Sequence, residues 1–125
     1  MAYDLTELEY NMSLQNKNLY EGMYILSATL SDDARSKALD KIQKGITGQG
    51  GEILKIHELG RRRLAYDIGG HREGYYYLLY FEVNPDAVNE LWQEYHLNED
   101  LVRFMTLRAE KVMDKIEFKL IEDQQ

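Results

Sequence analysis

The chain contains no cysteine. Disulfides, thiolate metal sites and a cysteine nucleophile are therefore excluded, and a reducing, cytoplasmic-type compartment suits it. No apolar run approaches the ~20 residues that span a bilayer, so no membrane partner is expected. The N-terminus lacks a basic stretch followed by an apolar one, so a secretory signal is not expected either. His57, His71 and His96 lie in separate segments, and no pair has metal-ligand spacing. No serine or carboxylate stands beside them in a nucleophilic or acid–base pattern, so no catalytic residue, metal, cofactor or small-molecule substrate is expected. The glycines at 45, 48, 50 and 51 follow a helical pattern instead of preceding one, so they do not form a phosphate-cradling loop. Positive charge is missing from Glu82 to Asp100, which holds six acidic residues and no lysine or arginine.

What is present is a 125-residue chain, 44% hydrophobic, of a size that builds one domain around one core. Its net charge of −7 argues against indiscriminate coating of nucleic acid. The charge is unevenly spread, however. From Gly51 to Gly74 five basic residues face four acidic ones, a local balance of +1. Three of the seven arginines are consecutive, in Leu59-Gly-Arg-Arg-Arg-Leu-Ala-Tyr66. Adjacent guanidinium groups repel, so a fold that gathers them usually offers an anion, either phosphate or the carboxylates and carbonyls of a protein. The plainer reading is three solvated side chains alternating along a strand.

The residues before this stretch begin with a polar segment to Asn18, read as a mobile arm despite Leu5, Leu8 and Met12 at helical spacing. Tyr20 to Ser27 has the aromatic and aliphatic content of a strand. Ser31 is placed to cap a helix whose first turn holds Asp32 and Asp33, and Ala34, Ala38, Ile42 and Ile46 recur every fourth residue. Ile53 to Ile68 reads as one long strand bending near Gly60. A turn is expected over Gly69 to Gly74, then a strand from Tyr75 to Val83 that is apolar on both faces. Asn84 caps the next helix and Pro85, the only proline, takes its first position, with Val88, Leu91, Trp92 and Tyr95 as the apolar stripe. Leu101 to Ala109 alternates as a fourth strand, and a charged tail helix is expected beyond Glu110.

The order β-α-β-β-α-β implies an α+β, ferredoxin-like sandwich, a four-stranded antiparallel sheet with both helices on one face. Gly22, Tyr24, Leu26, Tyr77, Leu79 and Phe81 would face the helices. Met23, Ile25, Tyr76, Leu78 and Tyr80 would form an open, tyrosine-rich face unless the tail folds over it, and such a patch usually marks a partner.

Tyr20-Glu21, Leu59-Gly-Arg-Arg-Arg-Leu-Ala-Tyr-Asp-Ile68, Glu82, and Val102-Arg-Phe-Met105 before Arg108 together resemble the small-subunit ribosomal protein six family of bacteria and chloroplasts. The likeness runs from about Tyr20 to Lys111 in one order. The family usually has proline where this chain has Asp67, and the segment through Asn18 lies outside the shared region. The resemblance implies a non-enzymatic domain at 20–109 between an N-terminal extension (1–19) and a charged tail (110–125). It implies a ribosomal location, cytoplasmic or in the chloroplast stroma. It also implies binding to the central domain of small-subunit ribosomal RNA together with small-subunit ribosomal protein eighteen. By position, Tyr20, Arg103, Arg108 and Lys111 are the RNA-side candidates, with a base stacked on Tyr20. Arg61, Arg62, Arg63, Tyr76 and Tyr80 are candidates for the protein partner or for RNA. Two alternatives stand beside this reading: a protein-only scaffold using the open sheet face, and a small enzyme using His57 or His71 as a base.

Overall fold

The computed structural model describes residues 16–116. Six elements follow one another: β1 (Asn18–Ser27), α1 (Asp32–Gly48), β2 (Glu52–Ile68), β3 (His71–Val83), α2 (Pro85–His96) and β4 (Leu101–Arg108). The strands form one antiparallel sheet in the order β2-β3-β1-β4, which puts the two apolar strands at the centre. The expected ferredoxin-like architecture is therefore present.

Both helix starts follow from local chemistry. The Ser31 hydroxyl accepts from the Ala34 amide at 3.1 Å, and the Asn84 side chain accepts from the Asp86 amide at 2.9 Å. Each cap satisfies an amide that the first helical turn leaves without a carbonyl partner. Alternation along the strands then decides which residues meet the helices. Tyr24, Leu26, Tyr77, Leu79 and Phe81 pack with Ala38, Ile42, Ile46, Leu91 and Tyr95 into one core. Full burial of each large aliphatic or Phe side chain contributes about 1.5–3 kcal/mol. The Tyr24 and Tyr95 hydroxyls lie 2.8 Å apart inside that core, and their rings meet edge to face at 5.2 Å. Each phenol gives the other the partner that a buried hydroxyl requires.

Two expectations need correction. The turn over Gly69 to Gly74 is only Gly69-Gly70, with φ of 55° and 85°. Paired glycines at positive φ make a tight turn whose twist matches that of the strands, so β3 starts at His71, not Tyr75, and the hairpin is longer. Strict alternation in β4 also fails. Ile25 pairs with Arg103 but Leu26 pairs with Leu101, so Val102 is an extra residue, a bulge. The bulge lets Leu101 and Phe104 both reach the main core while Val102 joins the opposite face. The tail helix is absent from 110–116, and the remainder of that expected helix lies outside the described residues, as does most of the expected N-terminal arm.

Burial pushes the Tyr95 phenol up from 10.0 to about 12, and burial first, then Tyr95, raises Tyr24 well above its ordinary value. A phenol with a folded pKa above its unfolded one favours folding fully below pH 10, and the advantage disappears as pH climbs through the folded value. Stability should fall between about pH 10 and 12, by about 1.4 kcal/mol per pH unit for each such tyrosine. Urea midpoints at pH 9 and pH 11.5 measure the fall, and Tyr95→Phe should make it shallower. Gly74 pairs with Ser27, and a Cβ there would strike Ile25 Cγ2 and come within 3.1 Å of the Leu26 carbonyl oxygen. Gly74→Ala should therefore cost about 1–3 kcal/mol of unfolding free energy, by denaturant titration.

Candidate nucleic-acid interface

Antiparallel register places Tyr20 opposite Arg108, where β1 begins and β4 ends. Arg108 Nη2 donates to Asn18 Oδ1 at 3.1 Å, and Asn18 Nδ2 donates to Tyr20 Oη at 3.5 Å. The Ala109 amide, donating to the Leu19 carbonyl at 2.9 Å, fastens the corner. The Tyr20 ring itself is stacked on Phe81, centroids 5.8 Å apart, and is 9% exposed. With its ring stacked on Phe81 and so little of it exposed, Tyr20 does not present an open face for a stacked base. Lys111, three residues beyond Arg108, is exposed.

Arg103 stands at the other end of β4. It pairs with Ile25, so it points to the face away from the helices, where its Nη1 donates to Tyr66 Oη at 2.7 Å. Arg103 and Arg108 are five residues apart, about 17 Å along a strand. The RNA-side candidates thus fall on opposite faces of one edge strand.

The arginine run is divided by the same alternation. Arg61 turns to the helix side, where Glu73 accepts from its Nε at 3.1 Å and its Nη2 at 2.6 Å. Arg62 turns to the opposite side, and its Nε donates to the Leu59 carbonyl at 3.0 Å. Arg63 is exposed on the outer strand β2. Burial pushes the Tyr76 phenol up, and the charges of Arg103 and Arg62 pull it down, so two guanidinium groups from distant segments bear on one ring.

Against this geometry, a profile of the family described as Ribosomal protein S6 matches residues 19–108. The chain belongs to that family. It is 70% identical to the small ribosomal subunit protein bS6 of Protochlamydia amoebophila over 114 residues, covering 91% of this chain and all of the relative. It is 61% identical to the bS6 of Chlamydia muridarum over 107 residues, 86% of this chain and 96% of the relative. Its fold resembles the crystal structure of 30S ribosomal protein S6 from Thermotoga maritima, with a TM-score of 0.70 and 26% identity over 86% of this chain and 94% of that one. The S6 family is one of ribosomal structural proteins, not enzymes, and these bacterial relatives place it in the cytoplasmic ribosome. Among the described residues no helix is long and apolar enough to cross a membrane. His57, one of the two histidines named as base in the enzyme alternative, is bonded through Nε2 to the Met113 carbonyl at 2.7 Å and lies edge-on to Tyr80.

The S6 sheet face away from the helices is less open than its sequence implies. Tyr76, Leu78 and Tyr80 are 4%, 4% and 1% exposed. Leu64 from the bent hairpin covers Ile25 and Tyr76, and the tail crosses at Met113, Lys115 and Ile116, leaving a groove of about 630 Å³. Tyr76 and Tyr80 are therefore not surface rings waiting for a partner, because the chain's own hairpin and tail have taken that role. Glu73, Asn18, Tyr66 and Met113 complete these arrangements, and sequence reasoning missed all four. Tyr66 alone carried a signal, as the last residue of the arginine motif.

The Arg61–Glu73 pair is half exposed on both sides, with side-chain exposures of 52% and 45%. Water screens it, so Glu73→Gln should change unfolding free energy by less than about 1 kcal/mol in a denaturant titration. Arg61 is thereby held in place cheaply and released cheaply.

Proposed function

We propose that this S6-family protein binds the central domain of small-subunit ribosomal RNA together with small-subunit ribosomal protein eighteen. The observation that carries the reading is the placement of Arg103 and Arg108 on opposite faces of β4, a strand with one free edge. An RNA strand lying along that edge meets a cation on either side of it, and such phosphate contacts set position and orientation without reading sequence. Lys111 extends the same line. Arg63, exposed on β2 at the far side of the sheet, is available to the protein partner without competing for the RNA edge.

Part of the acid behind the net charge of −7 is turned elsewhere. Glu90 accepts from Gln49 of α1 at 3.0 Å, and Glu94 lies against Gly45 of α1, where an added Cβ would meet its carboxylate at 2.8 Å. The stripe of α2 that holds them faces the neighbouring helix, away from β4. The protein-only scaffold has less support, since its proposed sheet face is already covered by the hairpin and tail.

Filter binding to a central-domain RNA fragment, with the partner protein present and salt varied, tests the proposal. Affinity should fall linearly on a log–log plot against salt, and Arg103→Ala and Arg108→Ala should each reduce the slope by about one. Salt-independent binding, or slopes unchanged in both variants, would overturn it.

A further inference from the structure

Beside β4, on the helix side, lies a second groove of about 530 Å³ that none of the positional candidates enters except Arg103 at its rim. One wall is α2, which presents Trp92 and His96, one helical turn apart; the other is β4, which presents Phe104 and Thr106. His96 meets Phe104 edge-on at 5.0 Å, so the floor is aromatic and fixed. Trp92 is 40% exposed, an unusual position for the chain's only tryptophan when Leu91 and Tyr95 beside it are buried. Thr106 Oγ1 is shielded from solvent and has no hydrogen-bond partner among the described residues.

An exposed indole beside an aromatic floor, next to a strand that carries two arginines, matches one ligand class. We infer that this groove receives an unpaired nucleobase of the ribosomal RNA, stacked on Trp92. Single-stranded bases are recognised in this way, by aromatic faces together with hydrogen bonds to the base edge. The inference rests on the RNA-binding proposal and adds to it a contact that is not electrostatic. The acidic stripe of α2 does not intervene, because Glu90 and Glu94 face α1. A base in this groove would sit beside the strand whose arginines hold the phosphates.

The full-length protein, its protein partner and the same RNA fragment supply the test, read by affinity and by tryptophan emission. Trp92→Ala should weaken binding about fivefold to 150-fold, the range for loss of one stacked base, while leaving the salt slope unchanged. Trp92→Phe should retain most of the affinity, and the quenching of emission on RNA binding should be missing from that variant. Far-UV circular dichroism establishes that the alanine variant is folded. A normal salt slope with affinity within twofold in Trp92→Ala, and no RNA-dependent quenching in the parent, would overturn the nucleobase site and leave the arginine edge standing. No salt-dependent binding in the parent would overturn both.

Discussion

Side chains leave a β-strand alternately to its two faces, and the rest of this protein depends on that alternation. β1 from Met23 to Leu26 and β3 from Tyr75 to Phe81 are apolar without a break, so both faces of the sheet centre need covering. The helices α1 and α2 cover one face, through Tyr24, Leu26, Leu79 and Phe81. The other face is covered by the long β2–β3 hairpin and by the irregular tail segment crossing at Met113. The resulting cover is thinner, built on a smaller cluster of Ile25, Leu64 and Tyr76. That asymmetry leaves a groove on one side and a dense core on the other.

The same alternation resolves the electrostatic puzzle of a net acidic protein in a ribosomal family. Three consecutive arginines look like one cationic point in the sequence. In the fold Arg61 and Arg62 diverge to opposite faces, one to Glu73 and the other toward Tyr76 and Arg103. The acidic residues of α2 are spaced by four, which gathers them on one stripe toward α1. Local fields at contact distance then follow from which face a residue occupies, and the whole-chain sum of −7 acts only at longer range, where salt screens it.

Element order, both helix caps and the core face were legible in the sequence, because each rests on local chemistry. Ser31 and Asn84 signal caps by their hydroxyl and amide, and the fourfold recurrence of Ala38, Ile42 and Ile46 signals a buried stripe. The bulge at Val102 was not legible. It arises only when Leu101 and Phe104 must both reach the core against Tyr24 and Leu26, a demand set by a partner strand some 75 residues away in sequence. For the same reason Asn18 appeared to belong to a polar arm. Its role as the link between Arg108 and Tyr20 exists only once β1 and β4 are paired. The Tyr20 ring was misjudged because strand ends are normally open, whereas Phe81 fills the space beside this one.

Free sheet edges expose unpaired backbone groups and invite unwanted pairing, so the two edges here can be compared by how each is defended. β2 carries Glu52, Lys55, Glu58, Arg61 and Arg63 in exposed positions, and irregular register near Gly60 and after Arg63 disturbs its outer edge. Charges and bulges of this kind keep other strands away. β4 is different. Met105 and Leu107 are 47% and 50% exposed, and charge is confined to Arg103 and Arg108 near its two ends. An edge so lightly defended is tolerable in a protein whose working state keeps it covered, and the cations at its ends suit the polyanion proposed as that cover. The undefended edge and the proposed RNA-facing edge are then one feature, and the proposed base-receiving groove beside it is where that cover would be anchored by something other than charge.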